Sequence, residues 1–406
     1  MTVASAHGPE VASSTAVVRV MNERAVYEHT RLLGPVSVSQ LVTASGLYKA
    51  TVGLAVAGLE RAGLIRQLGH RRGQAGRAPR LYEINPAAGW VLAFDIGRSW
   101  IRVALADLAG EIAVRQDIKA RTRTAPALMG QIADLAQAIP RAAGLGHGDV
   151  THTILGVPGV YQPDQGRFRV APNLPGLERP GAFDSLRDRL GPSFSIENDV
   201  NLATLGEQTY GLGQQVRSFV FLSFGTGVGM GIVIDGRLYR GPNGAAGEIA
   251  YLPVPDPAPG DSAAARRHGR LETVAGARGI LTRTRELGAV TTRSAEEVFR
   301  AARRGDPVAG QVVAEEAEHM AGAVAAVSAI LDPDLVVLGG GIGANGDLLL
   351  APLRHSLGGI LRLPPPRVAT SALGRDGVVL GGVAEGLARA REVLLGARSA
   401  GVAVRG

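Results

Sequence analysis

The sequence predicts an α/β protein with a small basic unit ahead of a larger body, and three observations carry that prediction. Strand-like and helix-like hydrophobic periods alternate from about Gly89 to Leu395. Glycine-rich turns follow the predicted strand ends at Phe94, Phe224 and Leu338, where α/β proteins usually place ligands. The positive charge is concentrated: residues 1–85 hold ten Lys/Arg against five Asp/Glu, which leaves a surplus of only two of the overall +7 for the rest of the chain. A short basic segment of this kind suits a polyanion, and a nearly neutral larger part suits a small ligand or a protein.

With 406 residues and 46% hydrophobic content, the chain can bury more than one core. It has no cysteine, which excludes disulfides, a thiol nucleophile and cysteine-held zinc or iron-sulfur clusters. No run approaches the roughly 18 apolar residues that span a bilayer. The opening MTVASAHGPEVASSTA lacks the basic start and apolar centre of a signal peptide. A cytoplasmic protein with no membrane partner is expected.

Residues 1–15, rich in Ala, Ser and Gly, are expected to be a flexible tail. Val17, Val20, Met21, Val26 and Leu32 share one helical face, and Gly34-Pro35 stops that helix. Ser37 can cap a short second helix through Ala44, Ser45-Gly46-Leu47 makes a turn, and a third helix runs from about Tyr48 to Ala62. Two strands follow, Leu64 to Gly69 and Arg80 to Asn85, joined by a basic glycine-rich loop. Three helices with a tight turn before the third, closed by such a hairpin, predict a winged helix-turn-helix over residues 16–86. A generic helical subdomain is the bland alternative, and the wing arginines Arg71, Arg72, Arg77 and Arg80 weigh against it.

Residues 87–406 are expected to form the larger domain. Three strands with turns at Gly97 and Ala109-Gly110 open it, followed by a helix near Ala125–Ala143, strands near Thr153 and Phe194, and a helix after Asp199. Two strands cover Ser218 to Ile234; helices follow near Ala275–Leu287, Ala295–Arg303 and Pro307–Leu331, then a strand at Leu335–Leu338 and a helix at Val379–Leu395. The strand triplets opening near residues 91 and 217 hint at two related halves.

Four motifs carry chemistry. Asp95-Ile96-Gly97-Arg98-Ser99-Trp100 is either an ordinary hairpin turn or a loop whose backbone approaches phosphate. Phe224-Gly225-Thr226-Gly227-Val228-Gly229-Met230-Gly231 has alternating glycines that let two strands close round an anion, with the Thr226 hydroxyl as donor. Glu197-Asn198-Asp199 sits where a strand meets a helix, so Asp199 is a helix cap, a proton acceptor for a hydroxyl, or both. In Leu338-Gly339-Gly340-Gly341 the glycines serve a sharp turn or a close ligand.

Together with Ser37-Val38-Ser39-Gln40-Leu41 and the wing Gly76-Arg77-Ala78-Pro79-Arg80, these motifs make the chain resemble the ROK family of sugar kinases and sugar-responsive repressors. The resemblance implies an actin-like (sugar kinase/Hsp70-type) two-lobed ATPase fold, and the winged helix places the chain in the transcriptional-regulator branch. It assigns Asp95, Gly97, Gly225, Thr226, Gly227 and Gly229 to the two phosphate loops. It assigns Asn173, Asn198, Asp199, Glu248, Tyr251 and Glu272 to the sugar pocket, with Asp199 at the position of the catalytic base. The run Leu338 to Gly343 looks like the family's adenosine-side turn.

Departures from the family matter as much. Arg98 and Trp100 stand where kinases have the second glycine and the lysine of Asp-x-Gly-Gly-Thr-Lys. Tyr251 replaces the histidine of Gly-Glu-x-Gly-His, and Pro255 to Arg270 lacks the cysteine triplet that holds the family's zinc; His268 is expected to be solvent-exposed. No metal and no ATP cofactor are therefore expected. The reading is a DNA-binding regulator, a repressor, that senses a sugar or sugar phosphate; an ATP-dependent sugar kinase retaining a DNA-binding arm is the alternative. Ser37, Tyr48, Lys49, Thr51, Val52, Arg71, Arg72, Arg77 and Arg80 are the candidate DNA contacts. Double-stranded DNA with an inverted-repeat operator, and a homo-oligomer, dimer or tetramer, complete the expected partners.

Overall fold

The computed structural model describes residues 14–70, 79–121, 124–162, 167–170, 174, 176–179, 181–190, 193–254, 263–289 and 292–399. The first helix, Ser14–Leu33, begins inside the stretch expected as tail. A short helix Val38–Ser45 and the third helix Lys49–Arg61 pack against it. A three-stranded sheet in the order Val36–Ser37, Arg80–Ile84, Ile65–His70 closes the unit as a winged helix. Local chemistry explains the turn: Gly46, at φ 67°, ends the second helix by donating its N–H to the Val42 carbonyl, a conformation glycine adopts at little cost.

The larger domain holds two five-stranded sheets with one topology. In the first, Trp90–Ile96, Trp100–Asp107 and Ile112–Lys119 form an antiparallel meander, with Val150–Val157 and Phe194–Asn198 added in parallel on the other side. In the second, Phe219–Phe224, Val228–Ile234 and Arg237–Leu238 repeat the meander, and Leu335–Gly339 and Arg367–Thr370 repeat the parallel strands. The two related halves hinted at by the strand triplets are these sheets. Each has its own apolar core, around Leu92 and Phe94 in one and Leu222 and Phe224 in the other.

Several elements differ from the sequence expectation. The helix expected near Ala275–Leu287 is Ala277–Glu286, and a short helix not expected, Arg270–Ala275, precedes it across Gly276, extended at φ −95°, ψ 171°. The strand pair Val160–Gln162 and Arg167–Val170, the helices Asp184–Leu190 and Gly346–Ile360, and the strand Arg367–Thr370 are additional. No single helix among the described residues is long and apolar enough to cross a membrane; the bent pair that passes by length and composition together is Val38–Ser45 with Lys49–Arg61 of the winged helix.

The two units are joined by packing as well as by the chain. One buried cluster runs from Val26, Tyr27, Leu41 and Val56 through Val91 to Val383, Leu387 and Leu394 of the final helix, Gly377–Ser399. At its edge Arg391 Nε lies 3.8 Å from Glu28 Oε1 of the first helix. Burial and the nearby Arg31 charge lower the Arg391 pKa, so Glu28 offsets part of an otherwise unfavourable placement.

Candidate functional site

The strand Phe194–Asn198 runs into the helix Asp199–Tyr210, and their junction builds one end of the site. The cap is Asn198, not Asp199: its side-chain oxygen accepts from Asn201 N at 3.0 Å while its amide donates to the Gly159 carbonyl at 3.1 Å. Those bonds engage Asn198 with its own backbone and a neighbouring turn. Glu197 braces the same junction, accepting from Asn198 N and from the Asn201 amide, and pairing with Arg240 at 2.6 Å. Arg240 in turn reaches Glu385 on the final helix at 3.3 Å.

Asp199 is thereby left in the first helical turn, where Oδ1 accepts from Val200 N at 2.9 Å. Its pKa is pushed up to about 7, chiefly by burial, then by the charge of Asp95, with a smaller contribution from Glu248. Glu248 is raised by burial and by Glu272, and Glu272 by burial against the opposing bond from Val228 N at 3.0 Å. The Tyr251 hydroxyl is raised by burial, then by Glu248 and Glu272. Asp95, Asp199, Glu248, Tyr251 and Glu272 thus converge electrostatically, although four separate segments supply them. Asp199 held near the boundary between donor and acceptor, with further carboxyl groups beside it, suits a ligand with several hydroxyls. Asn173 lies outside the described residues.

The first glycine loop is a tight hairpin turn: Gly97 N donates to the Trp100 carbonyl at 2.9 Å. The register sets Asp95 opposite Arg102, whose guanidinium bonds the Asp95 carboxylate at 2.7 Å. Arg102 was not among the sequence candidates; a hairpin turning at Gly97 places these two positions across from one another, and that is the signal which could have found it. Burial still raises the Asp95 pKa, and Arg102 opposes it. In the second loop Gly225 N bonds the Gly227 carbonyl at 3.0 Å and Thr226 is exposed. Arg98 and Thr226 face a cleft of about 290 Å³ that His268, Glu272, Thr273 and Arg278 also line.

The first loop is crowded by the protein's own side chains. The Asp95 carboxylate is already engaged by a guanidinium, and Trp100, 40% exposed, stands at the turn. On the third glycine run, Gly340 is at φ 78° and a Cβ there would meet the Phe224 carbonyl at 2.3 Å, so packing by itself requires that glycine. Among the described residues no group of three or more His, Asp or Glu could hold a metal ion. His268 is half-buried against Glu272 at 3.4 Å, contrary to the exposed position expected from sequence.

The second candidate surface is on the winged helix. Ser37 does not face outward: it is buried, and with Gln40 it forms a reciprocal cap in which each side chain takes the other's backbone N–H. Val52 is also corrected, because it is fully buried beside Ala55, Val56 and Leu59 on the inner face of the third helix. Tyr48 is 87% exposed at the helix start, with Lys49 exposed and Thr51 half-buried behind it. Arg80 is exposed on its strand, whereas Arg71, Arg72 and Arg77 lie outside the described residues. Leu54, 75% exposed on the outer face, was missed. Its position i+4 from Ala50, on the face away from Val52, is the sequence signal for it.

The sequence model of the ROK family matches residues 91–384. A glucokinase of Halalkalibacterium halodurans is 32% identical over 72% of the chain and 93% of its own length. A xylose repressor of Caldicellulosiruptor bescii is 27% identical over 87% of the chain and 91% of its own length. A crystal structure described as a ROK family transcriptional regulator, homolog of the E. coli MLC protein, superposes with a TM-score of 0.79 at 24% identity, covering 94% of this chain and 99% of that one. That likeness shows the fold.

Proposed function

The chain belongs to the ROK family, and on that premise we propose that it is a sugar-responsive transcriptional repressor that binds double-stranded DNA. The observation that carries this reading is a winged helix with its third helix exposed at Tyr48, Lys49 and Leu54, joined by a continuous buried core to a two-lobed domain whose carboxyl groups converge at Asp199. The xylose repressor relative, matched along most of both chains, supports the same combination.

The ligand is a sugar or sugar phosphate, taken by Asp199, Glu248, Tyr251 and Glu272. No resident zinc and no ATP turnover are assigned. What supports this is the Arg102 guanidinium on Asp95, the Arg98 and Trp100 side chains at the first loop, and Tyr251 in place of the family's histidine. DNA contacts are assigned to Tyr48, Lys49, Thr51 and Arg80, with Arg71, Arg72 and Arg77 of the wing. Two-fold pairing of the protein would match an inverted-repeat operator.

The kinase alternative keeps two supports, an Asp199 pKa near neutrality and the intact glycine run Gly225 to Gly231. One experiment decides. Fluorescence anisotropy of the promoter duplex, with and without a panel of sugars and sugar phosphates, is run beside a coupled assay for hexose phosphorylation. Salt-sensitive binding that one ligand changes, without phosphoryl transfer, supports the repressor. Turnover abolished by Asp199→Asn supports the kinase.

A further inference from the structure

We propose that the third helix of the winged unit reads its operator mainly through thymine methyl groups, so that each half-site carries a thymine-rich step under Leu54. The inference rests on the DNA-binding reading above and names the chemistry that the helix recognises.

The residues available for base contact are few. The helix Lys49–Arg61, KATVGLAVAGLER, contains no Asn, Gln, Asp, Ser or His. Its charged residues sit at the ends, Lys49 at the start and Glu60-Arg61 at the finish, and Arg61 Nε is turned back onto the Ala57 carbonyl at 3.1 Å. Between them the outward face is Ala50, Leu54 and Ala57, all exposed and spaced i, i+4, i+7. Gly53 adjoins that face, and nothing lies within 4 Å of where its Cβ would be.

The helix cannot roll to hide Leu54. Its opposite face, Val52, Ala55, Val56 and Leu59, is buried with Val26, Leu41 and Leu64, and any rotation would expose those side chains. A leucine left 75% exposed on a helix that opens with a tyrosine left 87% exposed is uncovered apolar surface. The surrounding charge selects a polyanion over an apolar protein face, because this N-terminal segment carries twice as many basic as acidic residues.

Within the major groove the base edges offer hydrogen-bond donors, acceptors and one apolar group, the C5 methyl of thymine. Guanine is usually met by Arg or Lys, adenine by Asn or Gln, and cytosine by Asp or Glu. Apart from the half-buried Thr51 hydroxyl in the first turn, a helix centre without those residues has only the methyl left to recognise. From Ala50 to Ala57 is about 10 Å along the axis, which spans roughly three base steps.

The test uses the full-length protein and a duplex selected by it from genomic DNA. Thymines of each half-site are replaced in turn by deoxyuridine, which deletes only the methyl group, and affinity is followed by anisotropy at fixed salt. The expected result is a loss of about fourfold for each methyl that Leu54 covers, with the salt dependence unchanged. Leu54→Ala, at an exposed site, is expected to fold normally and to bind the thymine and deoxyuridine duplexes alike. Equal affinity of the unaltered protein for both duplexes overturns the inference, as does a Leu54→Ala variant that changes oligomeric mass but keeps the discrimination. Failure to retain any duplex at low salt overturns instead the DNA-binding reading on which it rests.

Discussion

Asp199→Asn is expected to make the ligand-free protein more stable, and by much more at pH 8 than at pH 5. In the folded chain the carboxyl pKa rises from 3.8 to about 7, with burial as the first cause and Asp95 the second. A raised acid binds its proton more tightly when folded than when unfolded. Its contribution is therefore most favourable below about pH 4 and is lost as pH climbs through the folded value near 7. Three units correspond to a ceiling of about 4 kcal/mol of stability surrendered by pH 8. Asparagine is neutral and nearly the same shape, and its oxygen can still accept from Val200 N, so it keeps the geometry without the ionisation cost. The gain should show as several degrees in thermal unfolding at pH 8, falling to about a third of that at pH 5 and vanishing below about pH 4. The same substitution should weaken sugar binding above neutrality, where the carboxylate is the better hydroxyl acceptor. An equal shift at both pH values, or an asparagine variant less stable at pH 8, would refute the assignment of Asp199 as a carboxyl held uncharged by its surroundings.

Val52→Ala removes two methyl groups from a fully buried site and should cost about 2 kcal/mol in the winged helix, read as an earlier urea transition. Gly381→Ala should lower the thermal midpoint by the equivalent of about 1–3 kcal/mol or more, because its Cβ would lie 1.7 Å from the Leu202 carbonyl and two helices must separate; an unchanged midpoint would deny that close crossing. Arg391→Gln removes the guanidinium that faces Glu28 across the junction of the two units, leaving Glu28 its closer bond to Arg31. It should shrink the ratio of operator affinities measured with and without sugar, while calorimetry finds the sugar affinity itself little altered.

Local signals made the winged helix readable. Gly34-Pro35, the Ser37 cap and Gly46 each act within a few residues, and the helices begin and end beside them. The face of the third helix was harder, because alanine and glycine occur on both sides and blur the period; Val52 was therefore placed outward although it belongs to the inner set with Val56 and Leu59. The same limit hid the helix Gly346–Ile360, which contains Pro352 and Gly358-Gly359, and the strand Arg367–Thr370, which follows three prolines. In the site, Asp199 was legible from its place at a strand-to-helix junction. Arg240 was not, since the pairs it makes with Glu197 and Glu385 join residues far apart in the chain.

Those long-range pairs also bear on how a sugar could act at a distance. The helix Asp199–Tyr210 begins at the converging carboxyls and runs along the final helix. At the crossing, a Cβ on Gly206 would meet the Gly377 carbonyl at 2.4 Å, so the two backbones touch and a shift of one helix cannot be absorbed between them. The Glu197–Arg240–Glu385 chain ties their outer edges as well. Beyond the crossing, the final helix presents Arg391 to Glu28 of the first helix, and the same guanidinium lowers the Tyr210 pKa against the raising effect of burial. On the proposed repressor reading, a ligand that prefers one position of Asp199 would bias the winged helix through these contacts. The size of that bias is set by its difference in affinity for the two arrangements and not by how tightly it binds overall.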